Sequence, residues 1–135
     1  MIDQAIFNYI NTFVLSAPIH YGSAEGESLP YYVMTKLYDP ERPNTLCVDQ
    51  GESGETLFEF QGFCGGHGAA ATAGTTLYFV EQLKLIVKNI RGEIGIAPNR
   101  YRVWWNETRG VNLVGQQDEF TWTAQFESVL RWEKI

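Results

Sequence analysis

The segment from Glu119 to Glu133 constrains the fold more than any other stretch of this sequence. Its side chains alternate in character at every second position, which is the period of a β-strand. One face is mostly apolar and carries Phe120, Trp122, Ala124, Phe126, Ser128, Leu130 and Trp132. An apolar strand face of this length must be covered by a second layer of structure. The chain therefore needs an element that packs on this strand.

The best candidate for that layer is a helix from Thr75 to Arg91. Apolar residues recur in it at spacings of three and four, which is typical of an amphipathic helix. These residues are Leu77, Val80, Leu83, Ile86, Val87 and Ile90. Gly92 is placed to stop the helix, while Lys88 and Arg91 can meet the partial negative charge of its C-terminal carbonyl groups. We expect this helix to lie on the apolar face of the last strand.

Other elements follow from the same kinds of pattern. A first helix is predicted from Asp3 to Leu15, with Asp3 as its cap. Further strands are predicted at Tyr31–Tyr38, Thr45–Asp49, Thr56–Cys64 and Arg100–Trp105. In the strand that begins at Arg100, alternation places Tyr101, Val103 and Trp105 on one face. In Thr56–Cys64 it assigns Phe58, Phe60 and Cys64 to the core.

Clusters of glycine, proline, asparagine and acidic residues predict turns and loops between these elements. The predicted turns and loops are Ile19–Leu29, Asp39–Asn44, Gln50–Glu55, Gly92–Asn99 and Asn106–Gln117. We expect the loops around Asp39–Glu55 and Asn106–Gln117 to reach a partner and to be mobile in the free protein. Two helices among runs of strands indicate an α+β fold, with a mainly antiparallel sheet and both helices packed on one face. The chain of 135 residues is expected to form a single domain, residues 1–135.

Composition narrows the functions open to the chain. A net charge of −6 argues against a protein that holds nucleic acid by its phosphates. Cys47 and Cys64 are too few for a disulfide scaffold, so both are predicted to be buried free thiols. The N-terminus lacks the basic start of a signal peptide, and no segment reaches the length of a membrane span. We therefore expect a cytosolic protein, or one packed into a larger assembly, without a membrane partner.

The motifs that could carry chemistry are incomplete. The sequence GGHG at Gly65–Gly68 stands between a strand and a helix, as a phosphate loop does, but lacks the lysine and hydroxyl that hold a triphosphate. Ser53 falls one residue short of a GxSxG elbow and is predicted to lie in a turn. A four-ligand zinc set can be written from His20, Cys47, Cys64 and His67, although two of these are unpaired in spacing. We predict no catalytic residue, cofactor or metal.

Arginine and tryptophan come together near the predicted strand Arg100–Trp105. Arg100, Arg102 and Arg109 lie close in sequence to Trp104 and Trp105. Stacking and positive charge can form a nucleic-acid surface, but the overall acidity favours a protein interface, where tryptophan and arginine are enriched.

Several segments together resemble the tail terminator (tail completion) proteins of long-tailed bacteriophages. They are the opening helix DQAIFNYI, the strand start LPYYVM, the strand ETLFEFQGF, the small residues that lead into the amphipathic helix, and the last strand FTWTAQFESVLRW. The resemblance spans nearly the whole chain and rests on element order, the LPY start and the aromatic last strand.

This resemblance implies a non-enzymatic structural protein that forms a homo-hexameric ring on the end of the tail tube. Such a ring ends tube polymerisation and joins the tail to the head, so its partners are the major tail tube protein and a head–tail connector protein. DNA passes through its lumen without specific binding. The implied location is the neck of the virion tail, after synthesis in the host cytoplasm.

A closed ring requires two different surfaces on each subunit, and the predicted loops supply candidates. The predicted protein-interface residues are Asp39, Glu41, Arg42, Asp49, Glu52, Glu55, Trp104, Asn106, Arg109 and Gln116. Three of them, Asp49, Glu52 and Glu55, are also predicted to face the lumen, where like charge would keep DNA from binding.

Two alternatives stay open on sequence alone. The nearer is another phage neck or minor tail protein of similar fold. The other is a small-ligand-binding protein or enzyme with a pocket near His20, Cys64, His67 and Trp104.

Overall fold

The computed structural model describes residues 2–13, 15–23, 26, 28–38, 41–43, 52–65, 73–118 and 121–135. The helices of this part of the chain are α1 (Ile2–Asn11) and α2 (Ala73–Val87). Its strands are β1 (Ile19–Tyr21), β2 (Tyr31–Tyr38), β3 (Glu41–Pro43), β4 (Glu52–Gly65), β5 (Gly92–Ile96), β6 (Asn99–Thr108), β7 (Asn112–Asp118) and β8 (Thr121–Lys134). They form one sheet in the order β1-β2-β4-β8-β6-β5, with β3 beside β4 and β7 beside β8.

The strand pairs are antiparallel except for β1 with β2, which is parallel. The predicted α+β fold, with a mainly antiparallel sheet and two helices on one face, is therefore confirmed. Neither of the described helices is both long and apolar enough to cross a membrane.

The centre of the sheet is the pair β4 and β8, which stay in register from Ser53 opposite Glu133 to Gly65 opposite Thr121. Because side chains alternate between the two sides of a strand, this register divides the sheet into two faces. We call the side that carries Phe60 the core face, and the opposite side the outer face. The predicted apolar faces of both strands lie on the core face, where Phe60 stacks on Phe126 with ring centroids 5.0 Å apart.

Helix α2 packs on the core face against β4 and β8. Val80, Leu83 and Val87 are fully buried in this contact. Below this contact the indole of Trp132 is also paired, because its Nε1 donates to Thr56 Oγ1 at 2.9 Å. The prediction that this helix covers the last strand is thus confirmed.

The close approach of α2 to β4 depends on Gly62. A Cβ atom built on Gly62 would lie 2.4 Å from Cγ2 of Val80. Next to this contact, the ring of Phe79 stacks on Tyr32 at 4.1 Å, and the Tyr32 hydroxyl donates to the Phe79 carbonyl at 2.8 Å. The helix is therefore positioned by the absence of one side chain on the strand below it.

Helix α1 also lies on the core face, where it contacts both edge strands of the sheet. At β1, the hydroxyl of Tyr21 donates to the Asp3 carboxylate at 2.8 Å, and its ring meets Phe7 edge to face. At the other edge, α1 contacts β5, where Ala5 approaches Gly95. The cap predicted at Asp3 is wrong, because the helix begins at Ile2 and the carboxylate bonds to a strand.

Both helices are shorter at their C-terminal ends than predicted. Helix α1 ends at Asn11 rather than Leu15, since the side chains of Asn11 and Thr12 bond the carbonyl groups of Phe7 and Tyr9. Helix α2 ends at Val87 instead of continuing to Arg91.

Several predicted turns are strands, because pairing with other strands overrides local turn preference. Residues 52–55 of the predicted turn Gln50–Glu55 belong to β4, and residues 41–43 of the predicted turn Asp39–Asn44 form β3. The predicted loop Gly92–Asn99 contains β5 and the tight turn into β6.

The predicted loop Asn106–Gln117 holds the end of β6 and most of β7. There β6 leaves β8 at Ser128, and β7 takes the vacated edge of β8. The strand predicted at Thr45–Asp49 lies outside the described residues, as do Cys47 and His67.

Replacing Gly62 by alanine should destabilise the protein by about 1–3 kcal/mol, because the new methyl group must displace the branched side chain of Val80. Chemical denaturation measures this change. The matched control is Gly110→Ala, since a Cβ atom there meets nothing within 4 Å. Equal stability of the two variants would contradict the close-approach role of Gly62.

Candidate interaction surface

The outer face of the sheet brings together side chains from four strands. In the part of the chain that the structure describes, both helices pack on the other side. Directly opposed pairs on β4 and β8 run along this face as Glu55–Arg131, Leu57–Val129, Glu59–Glu127, Gln61–Gln125 and Phe63–Thr123. The face therefore mixes charged, amide and apolar pairs, and unlike the core face it is not covered by a helix.

A cluster of aromatic and charged residues occupies one end of this face. The guanidinium carbon of Arg131 lies 4.5 Å from the ring centroid of Trp105 and 5.9 Å from that of Trp104. The Nε of Arg131 donates to Glu55 Oε2 at 2.8 Å. We call these four residues the tryptophan cluster. Trp104 is 56% exposed. Its aromatic ring is therefore accessible to solvent while the guanidinium of Arg131 already positions it.

A bulge in β6 creates this cluster. The pairing of β6 with β8 shifts between Val103 and Trp105, which places Trp105 opposite Arg131. The predicted shared face of Val103 and Trp105 is therefore wrong, since Val103 is buried in the core and Trp105 stacks on an outer-face arginine.

Two carboxylates face one another in the middle of the outer face. Glu59 and Glu127 are directly opposite across β4 and β8, an arrangement that destabilises a sheet when both are charged. Arg109 donates to Glu127 at 2.6 Å. Desolvation, together with the charge of Glu127, raises the pKa of Glu59. Arg109 thus neutralises the charge of Glu127, and Glu59 is the carboxylate that is more easily protonated.

The rim beside β5 carries a compensated ion-pair network. Arg102 donates to Glu133 at 2.9 Å and to Glu93 at 3.4 Å, and Arg100 also bonds Glu93. Hydrogen bonds to Glu133 and Glu93 raise the pKa of Arg102. These arginines are bound within the chain, which leaves less free positive charge for nucleic acid than the sequence suggests.

Asn106, a predicted interface residue, holds the C-terminal end of α2. Its Nδ2 donates to the carbonyl oxygens of Val87 at 2.9 Å and Ile90 at 3.2 Å. Its Oδ1 accepts from the hydroxyl groups of Thr108 at 2.8 Å and Ser128 at 2.9 Å. This side chain performs the capping that the sequence assigned to Lys88 and Arg91, and no local pattern could have revealed a cap supplied by a distant strand.

The remaining predicted interface residues fall into four groups. Glu55, Trp104 and Arg109 lie on the outer face, while Gln116 is exposed on β7. Glu41, Arg42 and Glu52 are placed by their backbone in β3 and β4. Asp39 and Asp49 lie outside the described residues. The predicted interface did not include Arg131 and Glu127. Both lie on the polar side of the last strand, and this position is the sequence feature that could have indicated them.

Of the residues proposed for the alternative ligand pocket, His67 lies outside the described residues, and His20 and Cys64 lie on opposite sides of the sheet. His20 pairs with Val33 and packs beside Tyr31 on the outer side of the sheet, whereas Cys64 is buried on the core side. Burial raises the pKa of the Cys64 thiol, which makes it less reactive. Among the described residues there is no group of three or more His, Cys, Asp or Glu side chains that could hold a metal ion.

Replacing Asn106 by leucine should cost about 2 kcal/mol of stability, because it leaves carbonyl groups of α2 and two hydroxyl groups without their partner. Thermal and chemical unfolding provide the measurement. Asn112→Leu, on exposed β7, is the matched control and should change stability little. A loss of the same size in both variants would argue against the capping role.

Glu59→Gln should stabilise the protein at pH 7 and make no difference near pH 4. A carboxyl group whose pKa is raised in the folded protein destabilises the fold as pH rises from its ordinary pKa of 4.5 through the folded pKa, and glutamine removes that ionisation. Melting temperatures of both proteins across this pH range test the effect. The exposed Glu107→Gln serves as control, and an equal pH-dependent gain there would contradict the pairing argument.

Comparisons with known proteins place few constraints on this chain. No protein-family model matches it, and no curated protein matches it. A search of solved structures finds a chain whose name states no function, with a TM-score of 0.48 and 8% sequence identity. That match covers 96% of this chain and 89% of the other. A similarity at this level carries no functional argument.

Proposed function

We propose that this protein is a structural assembly protein of a long-tailed bacteriophage. It caps the tail tube as a homo-hexameric ring, ends tube polymerisation and forms the joint to the head connector. The proposal starts from the resemblance of the sequence to tail terminator proteins. The observation that carries it furthest is the tryptophan cluster, because an exposed tryptophan fixed by an arginine is the kind of residue that dominates protein interfaces.

The topology of the sheet is compatible with a ring. A closed ring of identical subunits uses two different surfaces on each copy. Strands β1 and β5 lie at opposite ends of the strand order, and the tryptophan cluster lies on the outer face between them. Each copy therefore has distinct surfaces through which copies could bind head to tail. In this proposal the major tail tube protein and the connector bind the two opposite sides of the ring.

The proposed acidic lumen depends on which carboxylates are free. Glu55 is bound by Arg131, so its charge is partly neutralised. The prediction that the lumen repels DNA is therefore tested best at Asp49 and Glu52, the two predicted lumen residues other than Glu55. Charge reversal at these two residues should slow or block DNA passage in particles that still assemble, and unchanged passage would count against the lumen role.

Another phage neck or minor tail protein of similar fold is the alternative closest to this proposal. The two differ in where the protein acts, since a terminator binds the end of a tail tube and stops its growth. An enzyme or small-ligand binder is less well supported, because His20 and Cys64 lie on opposite faces of the sheet.

Replacing Trp104 by serine should abolish ring formation on tail tubes while leaving the monomer folded, because this ring is exposed and contributes little to the core. Light scattering and electron microscopy of protein mixed with purified tail tubes measure assembly and tube length. The control is Tyr78→Ser, another exposed aromatic residue outside the predicted interface. Normal rings from the Trp104 variant, or strict monomers of the unmodified protein on tubes, would contradict the proposal.

A further inference from the structure

A groove of about 460 Å³ lies between helix α1 and edge strand β5. Four consecutive residues of β5, Glu93 to Ile96, line it. A groove on one face of a strand would be lined by alternate residues, so this groove follows the edge of β5. The far wall is helix α1, and of β6 only Asn99 takes part.

The edge of β5 has backbone groups available for another strand. β5 pairs with β6 on one side, and among the described strands it is the last of the sheet on the other. In an antiparallel pair, successive residues alternate between bonding their partner strand and pointing away from it. Alternate residues of β5 therefore present N–H and C=O groups to the groove, and the ligand that matches such a row is another extended backbone.

The chemistry of the groove walls indicates what that backbone carries. Gln4 and Asn8 of helix α1 and Thr12 just after it line the groove, repeat at a spacing of four and are uncharged. Ala5 and Tyr9 add apolar surface on the same wall. Among the described lining residues Glu93 is the one that is charged, and its carboxylate is already bound by Arg100 and Arg102. The groove is thus effectively neutral, and a charged side chain placed in it would lose water without gaining a partner.

We propose that this groove binds an extended, uncharged peptide segment of a partner protein, which adds to β5 as the next strand of the sheet. Main-chain bonds to β5 hold the segment, and its alternate side chains contact the neutral wall of α1. The exposed Ile96, 83% accessible at the end of β5, supplies an apolar contact where the segment leaves the groove. This inference goes beyond the proposed function, and it assigns the edge of β5 to a partner protein, which leaves β1 and the outer face for contacts between copies.

The test selects peptides from a randomised heptapeptide display library on the intact protein. Asn8→Trp blocks the groove from an exposed helix position, and Asn11→Trp is the matched control on the same helix but outside the groove. Selected peptides should bind the unmodified protein and the Asn11 variant equally, and the Asn8 variant roughly tenfold more weakly or worse, which corresponds to about 1.4 kcal/mol. Amide hydrogen exchange should slow at alternate residues of β5 when peptide is bound.

Three results would overturn the proposal. One is the failure of the library to yield peptides that distinguish the Asn8 variant from the control. Another is binding that leaves the exchange of β5 amides unchanged. A third is protection of these amides in the protein alone that grows with its concentration, which would make the occupant a second copy of the chain. None of these outcomes depends on tail tubes, so each is distinguishable from a failure of ring formation.

Discussion

The full-length pairing of β4 with β8 supports every other element of the structure. Its register places Phe60 against Phe126 on one side and Glu59 against Glu127 on the other. Because a strand repeats every two residues, a slip by one position would exchange the two faces and bury charged side chains under α2. The aromatic core and the charged outer face are thus two consequences of a single alignment.

The two central strands are long enough to carry more than one neighbour on each free edge. β2 and β3 share the edge of β4, while β6 and β7 share the edge of β8. A break between two such neighbours allows each segment its own direction and twist. The bulge in β6 and the end of that strand at Thr108 therefore do not interrupt the sheet, and they give the outer face its tryptophan cluster.

Elements with strong periodicity could be predicted from the sequence. The last strand and α2 were located, with their buried sides, because repeats of two and of three to four persist over many residues. The hairpin at β5 and the strand β7 were predicted as loops, since Gly95 and Gly115 favour turns locally. Each of them pairs with the next strand along the chain, β5 with β6 and β7 with β8, so their strand structure comes from backbone pairing and not from a periodic pattern of their own.

The candidate surface was predictable to a smaller extent. The chemistry of Trp104 alone indicates an interface residue. Arg131, which positions its ring, lies on the polar side of the last strand, where the sequence pattern draws attention mainly to the apolar side. Asn106 illustrates the opposite case, because a polar residue in a predicted loop proved to hold a helix end. Partners in three dimensions decide whether such a residue serves stability or recognition.

The central strand pair also affects the order in which the chain can fold during synthesis. β4 is made before α2, and its principal partner β8 is made after every other described element. Until β8 is made, α2 can cover the apolar side of β4, but the backbone edge of β4 that pairs with β8 has no neighbour. We expect the nascent chain to remain incompletely folded until β8 emerges from the ribosome, because contacts between distant segments form late and leave unpaired edges exposed meanwhile.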